Sequence, residues 1–165
     1  MSQAPDFSTL YDFEGSIETA VCTVLDSFGL RTLTQESDEN QSTPFISVSF
    51  STGEGDRSSP YMVAGNEPRP RRYMGVLTTT IYTTRKENGE VAVSYRKRLR
   101  ALLYGFRRSF TEAVLPYHVV TQMWETGTTR SINVDSEPMD VTTITWGVEF
   151  YIRPNAWPAA VEEIL

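Results

Sequence analysis

The chain has one cysteine and one histidine in 165 residues, and no long apolar run. Each shortage excludes a class of function. With Cys22 alone, no intrachain disulfide can form, so any stability must come from the core. With one histidine, His118, and one cysteine far from it, a zinc site of the common type has no ligand set. No carboxylates fall at the spacing of an EF-hand loop. No apolar stretch approaches the roughly 18 residues needed to span a bilayer, so no membrane association is expected. Met1 to Asp12 is polar and acidic and carries no basic start followed by an apolar block, unlike a secretory signal. The expectation is a protein made in a reducing cytoplasm that stays there or leaves as part of an assembly.

Catalytic signals are equally sparse. His118 sits in a strand pattern with no announced nucleophile or orienting carboxylate, and reads as structural. Cys22 falls within an apolar helical stripe and reads as a small buried hydrophobe. Gly53-Glu54-Gly55 lacks the third glycine and the lysine of a phosphate loop, and reads as flexible connection. The sequence therefore predicts no enzyme, no cofactor site and no metal site.

What is present is a good aromatic supply, with eight Tyr, eight Phe and three Trp, enough to build one core. The length suits a single domain, 1–165, with 154–165 as a C-terminal extension. The net charge is −6, which disfavours a free-standing nucleic-acid binder. The placement of charge says more than its sum. Residues Arg69–Arg108 hold eleven of the fifteen basic residues and only two acids, Glu87 and Glu90. Residues Met1–Pro68 hold eleven acids against Arg31 and Arg57. Such polarity suits self-association, one subunit's acidic region meeting a neighbour's basic one, or pairing within one subunit.

Periodicity supplies the elements. Phe13, Ile17, Val21, Val24, Leu25 and Phe28 form one helical stripe, with Asp12 or Ser16 as N-cap and Gly29 as the stop. Thr34–Thr43 reads as an exposed loop. In Phe45–Phe50, Ile46, Val48 and Phe50 alternate with serines, the pattern of a half-buried strand. Ser51–Arg71 is rich in Gly and Pro and has no periodicity. It reads as a long arm projecting from a hairpin, with Arg57, Arg69, Arg71 and Arg72 as candidate partner contacts. Tyr73–Arg85 follows as a strand. A second helix is expected over Val91–Phe110, burying Tyr95, Leu99, Leu102, Leu103, Phe106 and Phe110. On its other side Arg96, Lys97, Arg100, Arg107 and Arg108 make a basic face. That face could meet phosphates, a neighbour's acids at a subunit interface or channel, or solvent alone. Only Tyr104 stands among these cations, so the aromatic interleaving of a single-strand platform is missing. Pro116 separates the helix from three strands, Tyr117–Thr126, Thr129–Asp135 and Val141–Arg153, the first two joined around Gly127. In the last strand, Ile144, Trp146, Val148, Phe150 and Ile152 share the core face. The expected architecture is α+β: one mostly antiparallel sheet packed against two helices in the order α-β-β-α-β-β-β, with a long β-hairpin loop.

This layout is similar to the tail terminator and head-tail joining proteins of long-tailed bacteriophages. The residues that carry the similarity are the amphipathic helix of Phe13, Ile17, Val21 and Leu25, and the serine-rich strand Phe45-Ile46-Ser47-Val48-Ser49-Phe50. With them go the Arg71-Arg72-Tyr73-Met74-Gly75-Val76 strand entry, the Arg98-Leu99-Arg100-Ala101-Leu102-Leu103 helix and the closing Thr145–Arg153 strand. The resemblance covers about Phe13 to Arg153. The Thr52–Arg71 loop and the C-terminal segment have no counterpart in it. It implies a virion protein at the tail–neck junction, assembled in the host cytoplasm as a ring, commonly a hexamer. Such a ring caps the tail tube, stops its growth and joins it to the neck. The implied partners are other copies of the chain, the tail tube protein, a neck or connector protein, and double-stranded DNA passing through without sequence-specific contact. The acidic net charge would suit a lumen that does not grip DNA. The alternatives are another neck component (a stopper or connector), a minor tail protein, or a small ligand-binding or nucleic-acid-binding α+β domain.

Overall fold

The structure, a computed structural model, describes residues 13–34, 43–52, 72–84, 89–111, 114–116, 118–133 and 139–152. The chain is α+β, as its periodicities predict. The first helix, α1, spans Phe13–Ser27 and buries Ile17, Ala20, Val21, Val24 and Leu25. The expected cap Asp12 lies outside the described residues. The helix ends in a Schellman arrangement: Leu30 N–H donates to the Leu25 carbonyl at 3.0 Å, and Gly29 N–H to that of Asp26 at 3.0 Å. Gly29 takes a φ of 79°, which a side chain would resist. This stop corrects one expectation. Phe28 is not part of the buried stripe but is 55% exposed, because the reversal at Gly29 delivers Leu30 to the core in its place.

A three-residue strand that sequence reading missed, β1 (Thr32–Thr34), follows and pairs in parallel with β2 (Phe45–Thr52). Asp26 Oδ1 ties it to α1 by accepting from both the N–H and the hydroxyl of Thr32. In β2, Ile46, Val48 and Phe50 are buried. β1 covers the outer edge of β2 only as far as Val48. Beyond it, α1 takes over: Glu18 Oε1 accepts from Phe50 N–H at 2.8 Å, and Glu14 Oε1 from the N–H and hydroxyl of Thr52. Open strand donors are thus satisfied by carboxylates that also discourage a foreign strand.

The central strand β3 (Arg72–Thr84) runs antiparallel to β2 from Phe45↔Tyr82 to Thr52↔Gly75. The Ser51–Arg71 stretch therefore does leave from a hairpin end, although 53–71 lies outside the described residues. Thr79 is fully buried on the core face, where its hydroxyl donates to the Ile144 carbonyl and accepts from Trp146 Nε1 at 3.2 Å. The Thr79 hydroxyl and the Trp146 indole N–H are thereby both satisfied.

The expected helix Val91–Phe110 is two. Helix α2 (Gly89–Tyr104) buries Ala92, Tyr95, Leu99 and Leu103. The chain breaks step at Gly105, and a single turn, α3 (Phe106–Ser109), follows. The Ser109 hydroxyl bonds back to the Leu102 carbonyl at 2.9 Å, competing with the helical ladder there. A second correction concerns the last third. The two strands expected around Gly127 are one strand, β4 (His118–Asn133), paired along its length with β5 (Met139–Ile152). Gly127 marks a register shift between Glu125 and Gly127, a bulge rather than a turn, and a second shift lies between Val120 and Gln122. A bulge bends a long strand without ending its pairing.

The sheet order is β1-β2-β3-β5-β4, antiparallel except for β1 with β2. Ile144, Trp146, Val148 and Phe150 of β5 are fully buried with Leu77, Ile81, Leu99, Leu103 and the α1 stripe in one core. Helix α1 packs on β1 and β2, and α2 on β3 and β4. The opposite sheet face, with Ser47, Thr78, Thr80, Thr143 and Thr145, is only half-buried.

Candidate functional site

The five cations expected on the second helix do not form one continuous face. Gly105 divides them, and each group finds different surroundings. Arg100 turns toward the sheet and meets Glu125 of β4 in a two-pronged contact, Nη2 to Oε1 at 3.0 Å and Nε to Oε2 at 3.2 Å. Its Nη2 also reaches Thr128 Oγ1 at 3.2 Å. Tyr104 and Thr128 donate their hydroxyls to the same carboxylate. These hydrogen bonds, that of Arg100 foremost, hold the Glu125 carboxyl below the usual carboxylate range. Tyr104 in turn packs edge-on against Trp146 at 5.2 Å between ring centroids. Sequence reading did not anticipate this network, because nothing in a strand pattern says that Glu125 faces Arg100.

Arg96 lies one turn earlier on the same side. Its Nη1 is buried without a hydrogen-bond partner. Burial first, then the charges of Arg130 and Arg100, depress its pKa. Three arginines thus crowd over the distal part of the β4–β5 hairpin. Lys97 is exposed.

Arg107 and Arg108, both exposed on α3, belong to a different place. They line a groove of about 520 Å³ with Tyr104, Phe106, Met123 and Trp124. The Arg107 guanidinium carbon sits 5.9 Å from the Phe106 ring centre, within the reach of a cation–π contact. The aromatic that the helix sequence lacks, Trp124, is brought beside these cations by β4. Trp124 has its own requirement: it lies over Gly147 of β5, where a Cβ would strike the indole.

Of the four arginines expected on the arm, Arg57, Arg69 and Arg71 lie outside the described residues. Arg72 opens β3, opposite Tyr151.

The acids of the first half of the chain have work of their own. Glu14, Glu18 and Asp26 accept from backbone and threonine groups of β1 and β2. The described ion pair of the basic segment, Arg100 with Glu125, takes its acid from β4 rather than from the acidic N-terminal region.

His118 is buried, 2% exposed, with its ring 5.1 Å from that of Phe150. Burial pushes its pKa down to about 4, so the imidazole is neutral at neutral pH. A depression of about 370 Å³ over it is lined by Arg107, Phe110, Val120 and Tyr151, among others. Burial also raises the Cys22 thiol, which makes it a poor nucleophile. Among the described residues, no three His, Cys, Asp or Glu side chains gather as a metal site, and no helix is long and apolar enough to cross a membrane.

The outer edge of β4 differs from that of β2. Among the described residues no strand pairs with it, and from Thr126 to Ile132 every residue is exposed. Ile132 is 50% exposed, and on the uncovered sheet face so are Val76 at 43% and Met74 at 36%.

Comparison with known proteins adds little. No family model matches the chain, and no curated protein sequence does. A solved structure whose title states no activity aligns at 11% identity with a TM-score of 0.45, over 87% of this chain and 96% of that one. That similarity carries no argument about function.

Proposed function

We propose that the chain is a structural subunit of a long-tailed bacteriophage, a tail terminator that assembles as a ring, caps the tail tube and joins it to the neck. The observation that carries the reading is the asymmetry of the sheet. One face and one edge are finished, by α1, α2 and the Glu14 and Glu18 contacts to β2. Among the described residues, no helix packs on the other face and no strand pairs with the β4 edge. A long open edge is an aggregation hazard that proteins normally blunt. A subunit that meets its neighbours head to tail can cover such an edge with a neighbour's surface, and a closed ring then leaves no copy of it exposed.

Activity on this reading is binding. One ring surface mimics the next layer of the tube, while the other refuses further tube subunits and accepts a neck protein. The stretch 53–71 with Arg57, Arg69 and Arg71, and Arg72 at the start of β3, are the proposed contacts with tube or neck. Of the basic set, the exposed Lys97, Arg107 and Arg108 are the proposed subunit or channel contacts, while Arg96 and Arg100 face their own β4, and double-stranded DNA passes without sequence-specific contact. The test is the mass of the purified protein over a wide concentration range, followed by addition of tail tubes. Rings, or monomers that become ring-shaped caps on tube ends, support the reading. A monomer that ignores tubes at every concentration removes it, and one that binds only a neck protein places the chain as a stopper or connector.

A second reading has one observation in its favour. The groove that joins Arg107 and Arg108 to Tyr104, Phe106 and Trp124 combines cations with stacking surfaces, as single-stranded nucleic acid requires. Binding to single-stranded DNA that weakens steeply with salt would select it.

A further inference from the structure

A second groove, of about 530 Å³, runs between the end of α1 and the α2–α3 break. Val24, Phe28, Ala101, Leu102 and Val114 give it an apolar lining, and Arg108 stands among them. Phe28 is more than half exposed there. The guanidinium of Arg98 lies over Gly29 at the end of α1, 3.1 Å from where a Cβ would stand. The site is thus an apolar slot with cations at its margin, and it is separate from the sheet edge on which the ring proposal rests.

We propose that this groove binds the segment Val161–Leu165 of the same subunit. Three observations favour this occupant. The first is composition: Val161, Ile164 and Leu165 fall at i, i+3 and i+4, the spacing of one apolar helical face. The second is charge. Glu162 and Glu163 stand between them, and residues 154–165 contain no basic residue, which complements Arg98 and Arg108. The third is reach. Ile152 pairs with His118, four residues after the groove residue Val114. Four extended residues and one strand spacing place Val114 within roughly 20 Å of Ile152. The nine residues from Ile152 to Val161 span up to about 30 Å. The segment therefore reaches its own groove without help from a neighbour. Burial of Phe28, Ile164 and Leu165 against one another drives the association, and the ion pairs fix its direction.

The test is amide hydrogen exchange of the full chain, read at Thr23–Phe28 and Ala101–Gly105. Two variants are compared with the parent, the double change Ile164→Lys and Leu165→Lys, and the surface change Phe28→Ser, which spares the core. Each is expected to lower protection in both stretches by about tenfold, the effect of exposing one aliphatic side chain, while β3 and β5 keep theirs. A synthetic peptide of residues 154–165 restores protection in the double variant and not in Phe28→Ser. Unchanged exchange in both variants overturns the proposal. A loss of protection that coincides with a fall in oligomeric mass overturns the same-subunit assignment, because a neighbour's segment then fills the groove. The experiment needs no tail tubes, so its failure leaves the ring reading untouched, and failure of capping leaves this one untouched.

Discussion

His118 makes the stability of this domain depend on pH in a window where few other groups titrate. Its folded pKa is about 4, against 6.5 for an unburied imidazole. Between those values the unfolded chain binds a proton that the folded chain refuses. Stability is therefore complete above about pH 6.5 and is lost as the pH falls through the folded value. At about 1.4 kcal/mol per pH unit, the full gap is worth about 3 kcal/mol, and the part lost between about pH 7.5 and pH 5 is about 2 kcal/mol. Ordinary carboxylates are still mostly ionised at pH 5, so the imidazole dominates this interval. Urea unfolding at the two pH values, for the parent and for His118→Gln, measures it. The parent is expected to lose about 2 kcal/mol on acidification and the variant only a few tenths. The variant starts lower at pH 7.5, since it disturbs the packing on Phe150, but its pH dependence is nearly flat. Equal losses in both proteins would refute the reasoning and place the proton elsewhere.

Three further substitutions test particular contacts. Gly75→Ala brings a Cβ against the Phe50 ring and within 2.8 Å of the Ser51 carbonyl oxygen, and is expected to cost about 1–3 kcal/mol in urea unfolding. Glu18→Ala removes the acceptor for Phe50 N–H at the exposed end of β2 and is expected to cost about 1–2 kcal/mol by the same measurement. Arg100→Ala is expected to lower stability by only about 1 kcal/mol, because the pair is partly solvated. Its clearer signature is a rise in the Glu125 pKa, followed by NMR titration, since the Arg100 contact is the main cause of its depression.

The elements with strict periodicity were legible in the sequence. The alternation of Ile46, Val48 and Phe50, and that of Ile144 through Phe150, marks strands with one face in the core, and the structure places them so. What escaped is what periodicity does not encode. β1 is too short to show a pattern, and it exists because Asp26 and β2 supply its partners. Gly127 has the look of a turn, but the pairing of β4 with β5 continues past it and turns the extra residue into a bulge. Gly105 interrupts an apolar stripe that carries on through Phe106 and Phe110, so the stripe alone could not reveal the break. The basic face failed as a unit for the same reason: a helical wheel assumes an unbroken helix. Arg100's partner, Glu125, lies on a strand distant in sequence, between the two register shifts of β4. The aromatic groove beside Arg107 and Arg108 likewise needs β4 to deliver Trp124.

The central claim, that this chain terminates tail tubes and joins them to heads, is tested most directly by electron microscopy of particles from a phage whose copy of this coding sequence is interrupted. The account predicts filled heads without tails beside free tubes of irregular and excessive length, with normal particles restored when the purified chain is supplied. Tails of normal length still attached to heads would contradict it.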